Sequence, residues 1–267
     1  SKIYVLPTSD VCVDNNLTNA ASSLTDLNIQ GGTFDFGSTS TSISGNISND
    51  GTITGGFGTV TMAGSGDQTI SGTGFVNFNN LTINKSSGNL ILSTTTNVGN
   101  LLTMTKGDIT NSQPITIGTS SSNTGDISHT SGAITGQVKR FFSAGTGSKF
   151  FPVGVTGIER GVTVNFATSG PGVNQYLTAE YKNGLPNLSG SDAHYSGLPL
   201  ITTDGQLIQN FHEDGYWEIN PGSSSTGDSY TAPINSKEYS VSIHMNDLRD
   251  AAGDNQDKDM VRIIKSA

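Results

Sequence analysis

Long charged side chains are almost missing from the first half of this chain. Before Gly136 there is no arginine and no glutamate, only Lys2, Lys85 and Lys106 set against eight aspartates. The whole chain carries a net charge of −9. That excludes nucleic acid and an anionic membrane surface as partners, because both are held by clustered lysine and arginine. Cysteine is nearly absent as well: Cys12 stands alone, so no internal disulfide can form. No run of about 18 apolar residues exists, which speaks against membrane insertion, and residues 1–6 do not read as a signal peptide. The richness in Ser, Thr, Asn and Gly favours a mature exported protein, placed outside the cell or on its surface after signal-peptide removal, over a cytosolic one. The spacing i, i+3, i+4, i+7 of an amphipathic helix is missing throughout residues 64–117.

The apolar fraction of 33% and the charged fraction of 13% are both low for a globular chain. Disordered chains of low hydrophobicity are usually highly charged, and this one is not. With 34 glycines, stability must come from backbone ladders and stacked small side chains as much as from a large core.

What the sequence does contain is a succession of short apolar pairs: Val76/Phe78, Leu81/Ile83, Leu90/Leu92, Leu102/Met104 and Ile115/Ile117, separated by runs of Gly, Ser, Thr and Asn. Alternation of period 2 over three to six residues marks a half-buried strand. Strands this short and evenly spaced are best satisfied by a chain that winds into coils and stacks them, a β-solenoid. The same pattern reaches back through Leu27/Ile29, Phe34/Phe36, Ile43, Ile47, Ile53, Val60/Met62 and Ile70. Gly45, Gly51, Gly55, Gly64, Gly72, Gly88 and Gly107 fall near the turns, where a positive φ or a close approach between coils suits glycine. With about 20 residues per coil, residues 24–136 hold about five or six coils, a rod of roughly 25–30 Å at about 4.8 Å per layer.

Charge returns after Gly136, with four Arg, six Lys, five Glu and nine Asp. Like charges in register repel in a stacked coil, so the change marks different packing rules. Three segments are expected: a strand-like N-terminal cap over residues 1–23, with a strand at 2–6; a β-solenoid over 24–136; and an antiparallel β-sandwich over 137–267. The sandwich strands are expected at 137–142, 149–153, 161–168, 176–182, 206–211, 215–219, 230–234, 239–245 and 260–265.

The succession GSGDQTISG (residues 64–72), FNNLTIN (78–84), NVGNLLTMTKGDIT (97–110), SGAITGQVKRFF (131–142), KFFPVG (149–154) and ERGVTVNF (159–166) resembles a module of large secreted surface proteins of Bacteroidetes exported by the type IX secretion route. DGYWEI (214–219) and residues 239–265 are similar to the closing strands of that module. The family pattern also has a C-terminal sorting domain, which is not recognisable after Lys265. The resemblance implies a right-handed parallel β-helix followed by a β-sandwich, displayed at the cell surface in a structural or adhesive role. It implies as partners neighbouring modules or copies of the same protein. Its motifs are matters of strand order and spacing, so they identify an architecture more than an activity.

Enzymes built on β-helices, chiefly polysaccharide lyases and glycoside hydrolases, are the competing class. A lyase needs a strong base beside carboxylates or a metal, and a hydrolase needs two carboxylates roughly 5–10 Å apart. Without Arg or Glu in the coils, three lysines and eight scattered aspartates would have to supply them. The aspartates sit in turn sequences such as Asn49-Asp50-Gly51 and Gly66-Asp67-Gln68, where Asx-turn geometry accounts for them. Neither a G-x-S-x-G nucleophile elbow nor a G-x-x-x-x-G-K phosphate loop is present. The expectation is a protein that is not an enzyme and has no cofactor.

Two site readings remain. Tyr216, Trp217 and Tyr230, with Tyr195, offer stacking faces for sugar rings, which makes surface glycans a partner class and a carbohydrate-binding module the alternative function. Against it, strand alternation sends Tyr216 and Trp217 to opposite faces, and Trp217 is most simply a core anchor. Residues 247–259 form the densest acidic stretch. There Asp254, Asn255, Asp257 and Asp259 offer oxygens to calcium, the one ion the sequence suggests, although the spacing is not that of an EF-hand and a solvated acidic loop is the plainer reading. His129, His194, His212 and His244 lack zinc-site spacing.

Overall fold

The computed structural model describes residues 11–13, 17–20, 22–167, 175–184, 200–201, 207–208, 215–223 and 239–244. Among the described residues there is no helix, and the chain is all-β. Strands of three consecutive parallel faces recur in strict order, giving a β-solenoid of about six turns. The first face stacks Val11–Val13, Leu27–Ile29, Ile47–Asn49, Gln68–Ser71, Leu90–Leu92, Ile109–Asn111 and Ile134–Thr135. The second stacks Leu17–Thr18, Thr33–Asp35, Thr52–Thr54, the first parts of Phe75–Asn84 and Thr96–Lys106, then Ile115–Ile117 and Val138–Phe141. The third stacks Ser23–Leu24, Thr41–Ile43, Thr59–Met62, the later parts of the same two long strands, and Asp126–His129.

Register follows the apolar alternation. Leu27 pairs with Ile47, Ile47 with Ile70, Leu90 with Ile109, and Ile109 with Ile134, so like residues lie over like along the axis. The pairs Leu81/Ile83, Leu90/Leu92, Leu102/Met104 and Ile115/Ile117 all point inward and are buried. A one-residue slip would turn a strand's inward side chains out to solvent, which is why register is fixed although each strand is short. The turns are uneven. Val11 to Leu27 spans 16 residues and Ile109 to Ile134 spans 25, bracketing the expected 20. The extra length goes into corners, where it leaves the stacked strands undisturbed.

Glycine serves the corners in two ways. Gly72 has φ +107°, and a Cβ there would meet the Asn49 carbonyl oxygen at 2.1 Å. Gly55 has no positive φ, but a Cβ would meet the Asn79 backbone nitrogen at 2.0 Å, so layer spacing alone demands glycine. Phe34, Phe36 and Phe78 fill the inside of the corner between the second and third faces, with ring centroids 5.0 Å and 5.9 Å apart.

The coil passes into antiparallel structure without a break in the sheet. Val138–Phe141 pairs in parallel with Ile115–Ile117 on one side and antiparallel with Gln175–Asn183 on the other. Gln175–Asn183 in turn pairs antiparallel with Gly215–Ser223. A second antiparallel sheet joins Gly147–Phe151, Val162–Phe166 and Tyr239–Ile243. A two-residue ladder, Gly154–Val155 with Ile158–Glu159, lies beside the last coil, and Val153 bridges to Ile134. The hydrophobic core runs on through the change of direction, from Ile117 and Val138 to Phe142, Phe151, Val162, Phe166 and Leu177. Strands expected at 137–142, 149–153, 161–168, 176–182, 206–211, 215–219 and 239–245 each have a described counterpart. Those expected at 2–6, 230–234 and 260–265 lie outside the described residues.

Candidate functional site

Tyr216 and Trp217 lie on opposite sides of the strand Gly215–Ser223. Trp217 packs against the core, its ring 5.2 Å from Tyr181 in an edge contact and its Nε1–H donating to the Arg160 carbonyl oxygen. Tyr216 faces outward with a different set of neighbours. Its hydroxyl donates to Glu218 Oε1 at 3.4 Å, and across the ladder Lys182 Nζ lies 2.7 Å from Glu180 Oε1 and 4.0 Å from Glu218 Oε2. Glu180 and Glu218 are direct cross-strand partners. Two carboxylates in register repel, and the Lys182 ammonium between them offsets this. The hydrogen bond to Glu180 raises the Lys182 pKa, while burial and the Glu218 charge raise that of Tyr216. Tyr216 and Trp217 therefore do not form one stacking platform. Tyr195, Tyr230, Asp254, Asn255, Asp257 and Asp259 lie outside the described residues, as do His194 and His212.

His129 and His244 flank the Phe150 ring, with centroids 5.4 Å and 5.1 Å from it. His129 Nε2 is 2.7 Å from the Gly132 carbonyl oxygen, and His244 Nδ1 is 3.0 Å from Glu159 Oε2. Among the described residues no group of three or more His, Cys, Asp or Glu is arranged to hold a metal ion.

Three cations, Lys85, Arg140 and Arg160, are buried among the described residues, which the sequence did not make legible. Lys85, 1% exposed, lies inside a corner and donates from Nζ to Gln68 Oε1 at 2.8 Å and to the Gly64 carbonyl oxygen at 3.4 Å. Gln68 also accepts from the Gly64 N–H and donates from Nε2 to the carbonyl oxygens of Ile43 and Gly45. Burial lowers the Lys85 pKa, partly opposed by the charge of Asp67. Arg140, also 1% exposed, sits where the coil becomes antiparallel, bonded to the Phe150 and Gly125 carbonyl oxygens and to Asp126. Lys149 Nζ donates to Thr124 Oγ1 and the Gly125 carbonyl oxygen beside it. Lys85, Arg140 and Lys149 bond to groups from neighbouring turns of the chain and so tie layers together.

The outer corner between the second and third faces is different. Phe57, in the run Gly55-Gly56-Phe57-Gly58, is 87% exposed. Beside it the amides form ladders along the axis: Asn80 donates to the Gly58 carbonyl oxygen at 3.4 Å, Asn100 to Asn80 Oδ1 at 2.7 Å, and Asn97 to Asn77 Oδ1 at 3.0 Å. The glycine run was visible in the sequence as a turn; the orientation of its phenylalanine was not. No family model matches the chain, and no characterised protein or solved structure is significantly similar to it.

Proposed function

We propose that this chain is a non-enzymatic structural and adhesive module of a larger extracellular protein, a spacer that carries neighbouring modules away from a cell surface. In this reading the coil is right-handed, the antiparallel strands belong to a β-sandwich, and the parent protein is of the type IX-secreted kind that the sequence resembles. The observation that supports it most is the shared strand Val138–Phe141, hydrogen-bonded to the coil on one edge and to Gln175–Asn183 on the other. A backbone ladder across the junction gives a connection with no slack linker, as a load-bearing spacer requires. The scarcity of long charged side chains in the coil, which has no Arg or Glu, is in keeping with that role.

The test uses cells that make the parent protein. Antibodies raised against residues 24–136 should label intact cells, and in-frame deletion of residues 1–267 should reduce attachment to a surface while export of the remainder persists. Labelling only after lysis, or unchanged attachment in the deletion strain, overturns the reading.

A further inference from the structure

The corner at Phe57 has the chemistry of a sugar-binding edge. The Phe57 and Gly58 amides both donate to the Gly37 carbonyl oxygen of the preceding turn, at 2.6 Å and 3.0 Å. Gly56, at φ +50°, lies so close to Gly37 that a Cβ would fall 1.9 Å from the Gly37 carbonyl oxygen. The backbone under Phe57 is thus seated on the layer below. Leaving the ring in water forgoes the free energy of burying it, although the chain buries Phe34, Phe36 and Phe78 within the same coils.

On the next layers Asn80 bonds to Gly58, the residue after Phe57, and Asn100 bonds to Asn80. Asn77 and Asn97 form a parallel rung on the adjoining face. A carboxamide has two N–H donors and two lone-pair directions, so the ladder occupies only part of each. The exposed Asn100 retains its carbonyl oxygen for an outside partner. These groups repeat at about 4.8 Å along the axis, and none of Phe57, Asn77, Asn80, Asn97 and Asn100 is charged.

We infer that this corner binds a neutral polysaccharide, with Phe57 stacking on the C–H face of one sugar unit and the Asn80 and Asn100 amides bonding to the hydroxyls of its neighbours. The inference deepens the adhesive reading above and rests on it. Sugar rings combine an apolar face with a rim of hydroxyls, which is the complement of an exposed phenyl beside oriented amides. An anionic or cationic polymer would find no counter-charge in this set.

The experiment is sedimentation of the purified chain with insoluble cellulose, chitin, curdlan and starch, with wild type, Phe57→Ala, Phe57→Trp and Asn100→Ala compared. Wild type should bind at least one of the four; Phe57→Ala should weaken that binding about tenfold, Asn100→Ala by a smaller factor, and Phe57→Trp should retain it. Because Phe57 is exposed, its replacement should leave the melting temperature nearly unchanged, which separates lost binding from lost folding. Failure of wild type to bind any of the four, or undiminished binding by Phe57→Ala, overturns the inference. So does a concentration-dependent dimer in sedimentation velocity that Phe57→Ala dissolves, since Phe57 would then serve a second copy. In the cell assay, attachment lost on deletion but kept in Phe57→Ala rejects this site alone. Attachment kept in both rejects the adhesive reading itself.

Discussion

Asp108 Oδ2 accepts a hydrogen bond from the Gly157 N–H at 2.7 Å across 49 residues of sequence, while its Oδ1 accepts from the Ala133 N–H at 2.8 Å. One nearly buried carboxylate therefore holds the turn of the last coils and the Gly154–Glu159 ladder together. Asp108→Ala leaves both N–H groups without an acceptor and should cost about 2–4 kcal/mol in urea unfolding. Asp108→Asn, which keeps one acceptor and turns a donor towards the other N–H, should fall between it and wild type. A loss below about 0.5 kcal/mol for Asp108→Ala would show that the two parts are held elsewhere.

The corner network around Lys85 and Gln68 predicts an asymmetry. Replacing the cation by an isosteric apolar group removes a desolvated charge and leaves Gln68 Oε1 still bonded to the Gly64 N–H. Lys85→Met should therefore be neutral or stabilising. Gln68→Leu leaves the Lys85 ammonium with only its 3.4 Å bond to the Gly64 carbonyl oxygen and takes away the partners of the Gly64 N–H and the Gly45 carbonyl oxygen at once, and should cost about 3 kcal/mol or more. Denaturant midpoints of the two variants check this, and equal losses would contradict it.

Two glycines with similar backbone angles should respond differently to alanine. Gly72 and Gly66 have φ +107° and +94°, but a Cβ at Gly72 meets the Asn49 carbonyl oxygen while one at Gly66 meets nothing within 4 Å. Gly66→Ala should cost about 1 kcal/mol, the conformational strain alone, and Gly72→Ala several times that because the layers must separate. Thermal melts that rank them the other way would remove layer spacing as the cause.

Acid should weaken the junction. Burial alone would raise the Asp126 pKa, but the Arg140 hydrogen bond, the Ile127 N–H and the charges of Arg140 and Lys149 together hold it below the ordinary aspartate value. A depressed carboxyl contributes stability that is full above its unfolded pKa and lost as pH falls through the folded one, a window below about pH 4. The Asp126 side chain is 74% exposed, so the contribution should be below about 1 kcal/mol. Asp126→Asn should flatten the acid limb of stability by that amount and leave pH 7 nearly unchanged relative to its own acid value.

The solenoid was legible because its signal is repetitive. Pairs such as Leu81/Ile83 and Leu102/Met104 alternate with small polar residues, and stacked layers place the two pairs in register. The strands Asp126–His129 and Ile134–Thr135 were harder to see. Ile127 and His129 are only half-buried, so the period-2 contrast fades. The burial of Lys85 and Arg140 depends on carbonyl oxygens brought in from other layers, which composition does not encode. For Tyr216 and Trp217, alternation predicts opposite faces, and Trp217 packs against the core while Tyr216 bonds to Glu218 on the other side. Phe57 carries no sequence signal because a lone aromatic between glycines has no period, and its exposure follows from how the corner backbone rests on Gly37.

The continuity of coil and antiparallel strands is tested most directly by native-state hydrogen exchange at the amides of Val138–Phe141, compared with those of Ile115–Ile117 one layer below. With one ladder running through both, the two sets should exchange with opening free energies within about 1 kcal/mol of each other. Exchange at Val138–Phe141 faster by orders of magnitude would mean that the junction opens on its own, and a spacer built on that strand would be ruled out.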